Sequence, residues 1–151
     1  MYVLIWTDGA SQRNNTLASI GVVIKTTDDD YICEISKFIG AGTSNQAEYK
    51  AFIEGIREAK KLGADRGVIY VDSEVVVKQM TGIYAIRNET LIELSKEAKR
   101  LLENTRFEIK HIRGTLNKEA HNLAYKAVKR IRDREKIAKK IRKKYRKPID
   151  K

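Results

Sequence analysis

The strongest constraint in this sequence is a set of three strand-like segments joined by links too short to hold a crossover helix. Residues 2–7 (YVLIWT), 18–26 (ASIGVVIKT) and 31–39 are apolar, rich in β-branched side chains or alternating, which is how strands read. Asp8-Gly9 and Asp28-Asp29-Asp30 mark turns between them. Strands joined by short links pair antiparallel, because a parallel partner needs a crossover of a dozen or more residues. An antiparallel meander is therefore predicted.

The organisation then changes. Gly40-Ala41-Gly42 breaks the pattern, and Thr43 or Ser44 can cap a helix. Residues 45–62 carry Ala47, Ala51, Ile56 and Ala59 near one face, and Gly63 is a natural stop. Residues 67–71 (GVIYV) read as a fully buried strand, and a strand–helix–strand order of this spacing favours a parallel crossover. A short helix at 73–80, an amphipathic helix at 89–103, a last strand at 106–112 and a helix from about Asn117 follow. The apolar period of that final helix continues through Ile137, Ala138 and Ile141, so it is predicted to run into the C-terminal segment.

The length of 151 residues suits one domain plus a tail. Lys129 to Lys151 hold thirteen basic residues against Asp133, Glu135 and Asp150, while the remaining 128 residues carry 18 basic and 17 acidic groups. Nearly all of the net charge of +11 is therefore in the tail. Lys129, Arg130, Arg132, Arg134, Lys136, Lys139, Lys140, Arg142, Lys143, Lys144, Arg146 and Lys147 form a candidate polyanion-binding segment. No apolar stretch approaches the ~20 residues of a membrane span, and no secretory leader is visible. The single Cys33 excludes a disulfide framework and a multi-Cys zinc site. A cytoplasmic monomer with no membrane partner is expected.

Asp8 and Asp72 end strands, and Glu48 lies in the first turn of the intervening helix. Ligands of α/β sheets gather outside the carboxyl ends of strands. Converging carboxylates repel unless a proton or cation intervenes, and oxygen donors suit Mg²⁺ or Mn²⁺. Such a cluster can hold two ions for phosphodiester hydrolysis. The same residues also suit a turn, a helix dipole and a cap, and spacing alone leaves both readings open.

Four motifs carry a resemblance. Thr7-Asp8-Gly9-Ala10-Ser11 resembles the TDGS motif of type 1 ribonuclease H, and Thr43-Ser44-Asn45-Gln46-Ala47-Glu48 resembles its TNNxAE motif. Asp72-Ser73-Glu74-Val75-Val76-Val77-Lys78-Gln79 resembles its DSxxVV(K/R)Q motif. Arg113 followed by Asn117, Ala120, Leu123 and Ala124 resembles its final block, which ends ADxLA. The resemblance covers residues 1–128 as a catalytic domain and leaves 129–151 as a basic helical tail. It implies an α/β, ribonuclease H-like fold: a mixed five-stranded sheet, three antiparallel strands then parallel strands, flanked by helices. It also implies hydrolysis of the RNA strand of RNA/DNA hybrids by two Mg²⁺ or Mn²⁺ ions, giving 5′-phosphate and 3′-hydroxyl ends. Asp8, Glu48 and Asp72 would hold metal. Gly9, Ala10, Asn45 and Gln46 would line the RNA minor groove, where the 2′-hydroxyl marks RNA. Thr43 would meet a DNA-strand phosphate, and Ser73, Glu74 and Asn117 complete the expected nucleic-acid contacts.

The sequence departs from the family at the fourth carboxylate, whose place His121 takes. Three consequences are open. His121 ligates metal and favours Mn²⁺, or it accepts a proton or orients water, or activity is weak or lost and a hybrid-binding module remains. A nuclease that also cuts double-stranded RNA or RNA–DNA junctions is a further alternative. The link at 113–117 carries no His, and His111 reads as a structural strand residue, leaving His121 as the only imidazole near the chemistry. The basic insertion common in the family after the short helix is absent, and the tail is its candidate replacement.

Overall fold

The structure, a computed structural model, describes residues 1–146. Strands β1 (Tyr2–Gln12), β2 (Leu17–Lys25) and β3 (Tyr31–Gly40) form the meander. Helix α1 (Ser44–Lys61) leads to β4 (Arg66–Val71), and α2 (Glu74–Met80) and α3 (Glu89–Leu102) precede β5 (Arg106–His111). A single 3₁₀ turn, Gly114–Leu116, opens into α4 (Lys118–Lys144). The sheet order is β3-β2-β1-β4-β5. The β1–β2 and β2–β3 pairs are antiparallel, and β1–β4 and β4–β5 are parallel. This is the mixed sheet expected from the sequence. Helix α1 packs on β1, β2 and α3, while α4 packs on β2, β1 and β3. Covered by both helices, β2 is buried along its whole length.

The expected turn at Asp8-Gly9 is not observed. β1 continues to Gln12, and the reversal is made by Arg13, Asn14 and Asn15, with φ of 50°, 54° and 63°. Gly9 serves close approach instead: a Cβ there would lie 2.3 Å from the Ala47 carbonyl carbon and 2.4 Å from the Glu48 nitrogen. Gly21 does the same for α4, since its Cβ would come 2.0 Å from the Ala120 oxygen. Asp8 pairs with Gly21 and Gly9 with Ile20. Successive residues face opposite sides of a sheet, so Gly9 admits α1 on one face and Gly21 admits α4 on the other.

Helix α4 passes residue 128, the expected domain boundary, without a break. Ser19 and Ser36 hydroxyls donate to the Ala124 and Leu123 carbonyls, both at 2.6 Å. Farther along, Arg130 bonds Ser36, Arg132 bonds Gln12, and Arg13 pairs with Glu135. Beyond Glu135 the helix is largely exposed, Ile137 and Ile141 included. Lys147 of the expected basic segment lies outside the described residues. Among the described residues no helix is long and apolar enough to cross a membrane.

Candidate active site

The site exists because β4 is shorter than β1. Pairing of β1 with β4 stops at Thr7–Val71, whereas its pairing with β2 continues to Gln12–Leu17. From Asp8 onward, the edge of β1 toward β4 is free of strand partners. Asp72 directly follows the last residue of β4, and Glu48 enters from the start of α1. A capping box fixes that start: the Gln46 N–H donates to Thr43 Oγ1 at 3.1 Å, and the Thr43 N–H donates to Gln46 Oε1 at 2.9 Å. One oxygen each from Asp8, Glu48 and Asp72 lie within 4.8 Å of one another.

The carboxylates are buried beside like charges. Burial, then the Asp8 charge, raises the Asp72 carboxyl to about 6, against a lowering contribution from Asn117. Glu48 is pushed well above its usual range by burial, by Asp8 and by Asp72. Glu48 Oε2 is buried without a hydrogen-bond partner. An all-oxygen donor set with mutual repulsion and an orphaned acceptor suits a hard divalent cation. The residues fit such a group.

His121 joins the site through Asp8. Its Nδ1 is 2.9 Å from Asp8 Oδ2, and its side chain is 61% exposed. It lies outside the group of three oxygens. Asn117, only 1% exposed, donates through Nδ2 to the Thr7 carbonyl at 2.8 Å, which ties the start of α4 to the residue before Asp8. The Thr43 hydroxyl and Gln46 amide are engaged in the capping box, and Asn45 beside them is exposed. Ser73 caps α2, and Glu74 is exposed and paired with Lys78. Gly9 and Ala10 are partly exposed on β1.

Sequence reasoning took His111 as a structural strand residue and did not foresee its place beside Asp72. Parallel pairing with Val71 brings it beside Asp72, where its Nε2 is 3.2 Å from the Asp72 carbonyl. Two imidazoles, not one, therefore border the chemistry. The signal lay in the register: β4 and β5 run parallel and end together, so the last residue of one neighbours the last residue of the other.

Comparison with known proteins agrees with this fold. A family model described as reverse transcriptase-like matches residues 6–127. A bifunctional protein of Mycobacterium tuberculosis is 37% identical over 107 residues, covering 70% of this chain and 29% of that protein. Ribonuclease HI of Halobacterium salinarum is 34% identical over 122 residues, covering 80% of this chain and 61% of that one. The chain thus spans less than two thirds of either relative. The crystal structure of RNase H1 from Halobacterium salinarum superposes with a TM-score of 0.83 at 32% identity, covering 85% of this chain and 98% of that one. LC11-RNase H1, solved in complex with an RNA/DNA hybrid, gives 0.80 at 29% identity, covering 85% and 98%. From motif, fold and site together, the chain belongs to the type 1 ribonuclease H family, a family of hydrolytic nucleases.

Proposed function

We propose that the chain is an endoribonuclease that hydrolyses the RNA strand of RNA/DNA hybrids by two-metal-ion catalysis, leaving 5′-phosphate and 3′-hydroxyl ends. The observation that carries this reading is the convergence of Asp8, Glu48 and Asp72 within 4.8 Å where β4 ends beside the free edge of β1. Asp8 would hold both ions, Mg²⁺ or Mn²⁺, with Glu48 and Asp72 completing the donor set. Such ions polarise a phosphate oxygen and make bound water nucleophilic.

The chain's own residues then divide the work. With the proton on Nδ1, His121 donates to Asp8 Oδ2 and leaves Nε2 free to accept a proton from the attacking water. The 2.9 Å contact with Asp8, outside the oxygen group, supports this role over direct ligation. Asn117 sets the strand–helix junction from which both act. Gly9, Ala10, Asn45 and Gln46 border the carboxylates along the path of an RNA strand, with Thr43 toward the DNA strand and Ser73 and Glu74 at the far side. The exposed cations of α4 beyond Glu135 supply phosphate contacts away from the cut.

The test is Asp8→Asn. It should abolish hybrid cleavage while keeping hybrid binding, and the wild-type products should carry 5′-phosphates. Retained cleavage would refute the metal assignment.

A further inference from the structure

A cluster behind the active site has no part in the chemistry described so far. Lys25, at the end of β2, is only 8% exposed. Its ammonium lies 3.3 Å from Glu119 Oε1 and 3.2 Å from Asp29 Oδ1. The same nitrogen stands over the rings of Tyr31, at 4.3 Å, and Trp6, at 5.3 Å. Tyr31 completes the cluster by donating its hydroxyl to Glu119 Oε1 at 2.7 Å. One carboxylate oxygen on the first turn of α4 thus receives two donors from two strands.

Position gives the cluster its meaning. Glu119 lies midway between Asn117 and His121. Asn117 is tied to the Thr7 carbonyl and His121 to Asp8, so both bonds run toward β1. The Glu119 bonds run the other way, toward β2 and β3. The turn between them cannot settle deeper, because the Ala120 oxygen already rests against Gly21. Three tethers and one stop fix the first turn of α4 in rotation and in depth. Helix rotation about this point moves His121 directly, since residues two apart on a helix swing together. The remaining exposure of His121, 61%, means that few packing contacts hold it otherwise.

We propose that Lys25, Tyr31 and Glu119 form a positioning clamp that sets the orientation of His121 on Asp8, and through it the rate of the chemical step. This rests on the reading of His121 as proton acceptor. None of the three touches the reacting atoms; they act through the helix. Misplacement of a catalytic group by about 1 Å costs on the order of 10²-fold in rate, so partial loss of the clamp should cost about tenfold.

A double-mutant cycle on the full chain tests this. Glu119→Ala should lower kcat on an RNA/DNA hybrid about tenfold with KM unchanged, since a shift of the first turn of α4 alters reaction geometry while the later bonds at Arg130, Arg132 and Glu135 keep the cationic part of the helix in place. In the His121→Ala background the same substitution should change kcat less than about twofold. Glu119→Gln retains a carbonyl oxygen for both donors and should restore most of the loss. In the metal-free protein, NMR should show the His121 Nδ1 proton protected in the wild type and in Glu119→Gln, and lost in Glu119→Ala. Should Glu119→Ala fail to fold, Tyr31→Phe carries the same cycle, as it removes the 2.7 Å bond from an exposed residue. Equal losses in both His121 backgrounds would show a merely structural role and overturn the clamp. An unchanged kcat in Glu119→Ala, alongside a large loss in His121→Ala, would overturn the clamp and leave the His121 reading standing. Full activity in His121→Ala would overturn both.

Discussion

Gly21→Ala tests how closely the catalytic geometry depends on the seating of α4. The added Cβ would stand 2.0 Å from the Ala120 oxygen, where ordinary contact begins at 3.4 Å. Its neighbours are the helix backbone at Ala120 and Ala124, so no flexible side chain can yield. The helix start must therefore lift by at least about 1.4 Å, the difference between those two distances. Overpacking of this kind costs about 1–3 kcal/mol. The lift also breaks the buried Asn117–Thr7 bond, leaving an unsatisfied donor that costs about 1–3 kcal/mol more. At roughly 2–4 °C per kcal/mol for a chain of this size, Tm should fall by about 5–20 °C. The shift separates His121 from Asp8, and kcat should fall on the order of 10²-fold. Gly63→Ala is the control. Its φ is +86° and nothing lies within 4 Å of the added Cβ, so it should cost about 1 kcal/mol and leave kcat intact. Calorimetry with single-turnover cleavage of a labelled hybrid reads both quantities. Wild-type Tm and kcat in Gly21→Ala would refute the reasoning.

Further outcomes follow from the same contacts. The raised carboxyls at Asp72, about 6, and at Glu48 mean that the folded metal-free protein holds protons the unfolded chain has released. The cluster's contribution to stability is therefore full below the unfolded pKa near 4 and is lost as pH rises through about 6 and above. In EDTA, Tm should decline with pH across that window, and the gain on adding Mg²⁺ should grow across it; equal gains at pH 5 and pH 7.5 would contradict this. Glu48→Gln should raise Tm in EDTA at neutral pH while abolishing cleavage, since it removes a buried acid whose ionisation is opposed by burial, by Asp8 and by Asp72; a lower Tm there would count against the electrostatic account. Deleting residues 136–151 should raise KM for hybrid and flatten its salt dependence with kcat preserved, because among the described residues the last side-chain bond that docks the helix on the sheet is that of Glu135 with Arg13; an unchanged salt slope would remove the tail from the interface.

Much of this was legible in the sequence, for definite reasons. Strand runs from Tyr2, Ala18 and Tyr31, with a cap at Thr43 or Ser44, give the element order by local chemistry alone. The three acids were found because the sequence reading placed each at an element end, although β1 in fact runs past Asp8 to Gln12. The misreadings share one cause, which is that tertiary contact overrides a local signal. Asp8-Gly9 looks like a turn because Gly usually supplies backbone freedom, whereas Gly9 is needed for lack of a Cβ under α1. His111 reads as a strand residue and is one, but only the β4–β5 register places it against Asp72. The Lys25 cluster was invisible because its partners lie 94 residues apart in the chain. The continuity of α4 past residue 128 was foreshadowed by the apolar period through Ile137 and Ile141, but its docking by Arg130 on Ser36 and by Arg132 on Gln12 depends on how α4 crosses β3 and the end of β1.

The most direct measurement of the central claim is cleavage by the purified chain of a labelled RNA/DNA hybrid, in Mg²⁺ and separately in Mn²⁺. Single-stranded RNA, duplex RNA, an RNA–DNA junction and duplex DNA of matched sequence run alongside. The account expects cuts confined to the RNA strand, strongest in the hybrid, absent in EDTA and absent from duplex DNA. Tight binding to the hybrid with no cleavage in either metal would contradict it and would mean that His121 in place of a fourth carboxylate leaves a binding module.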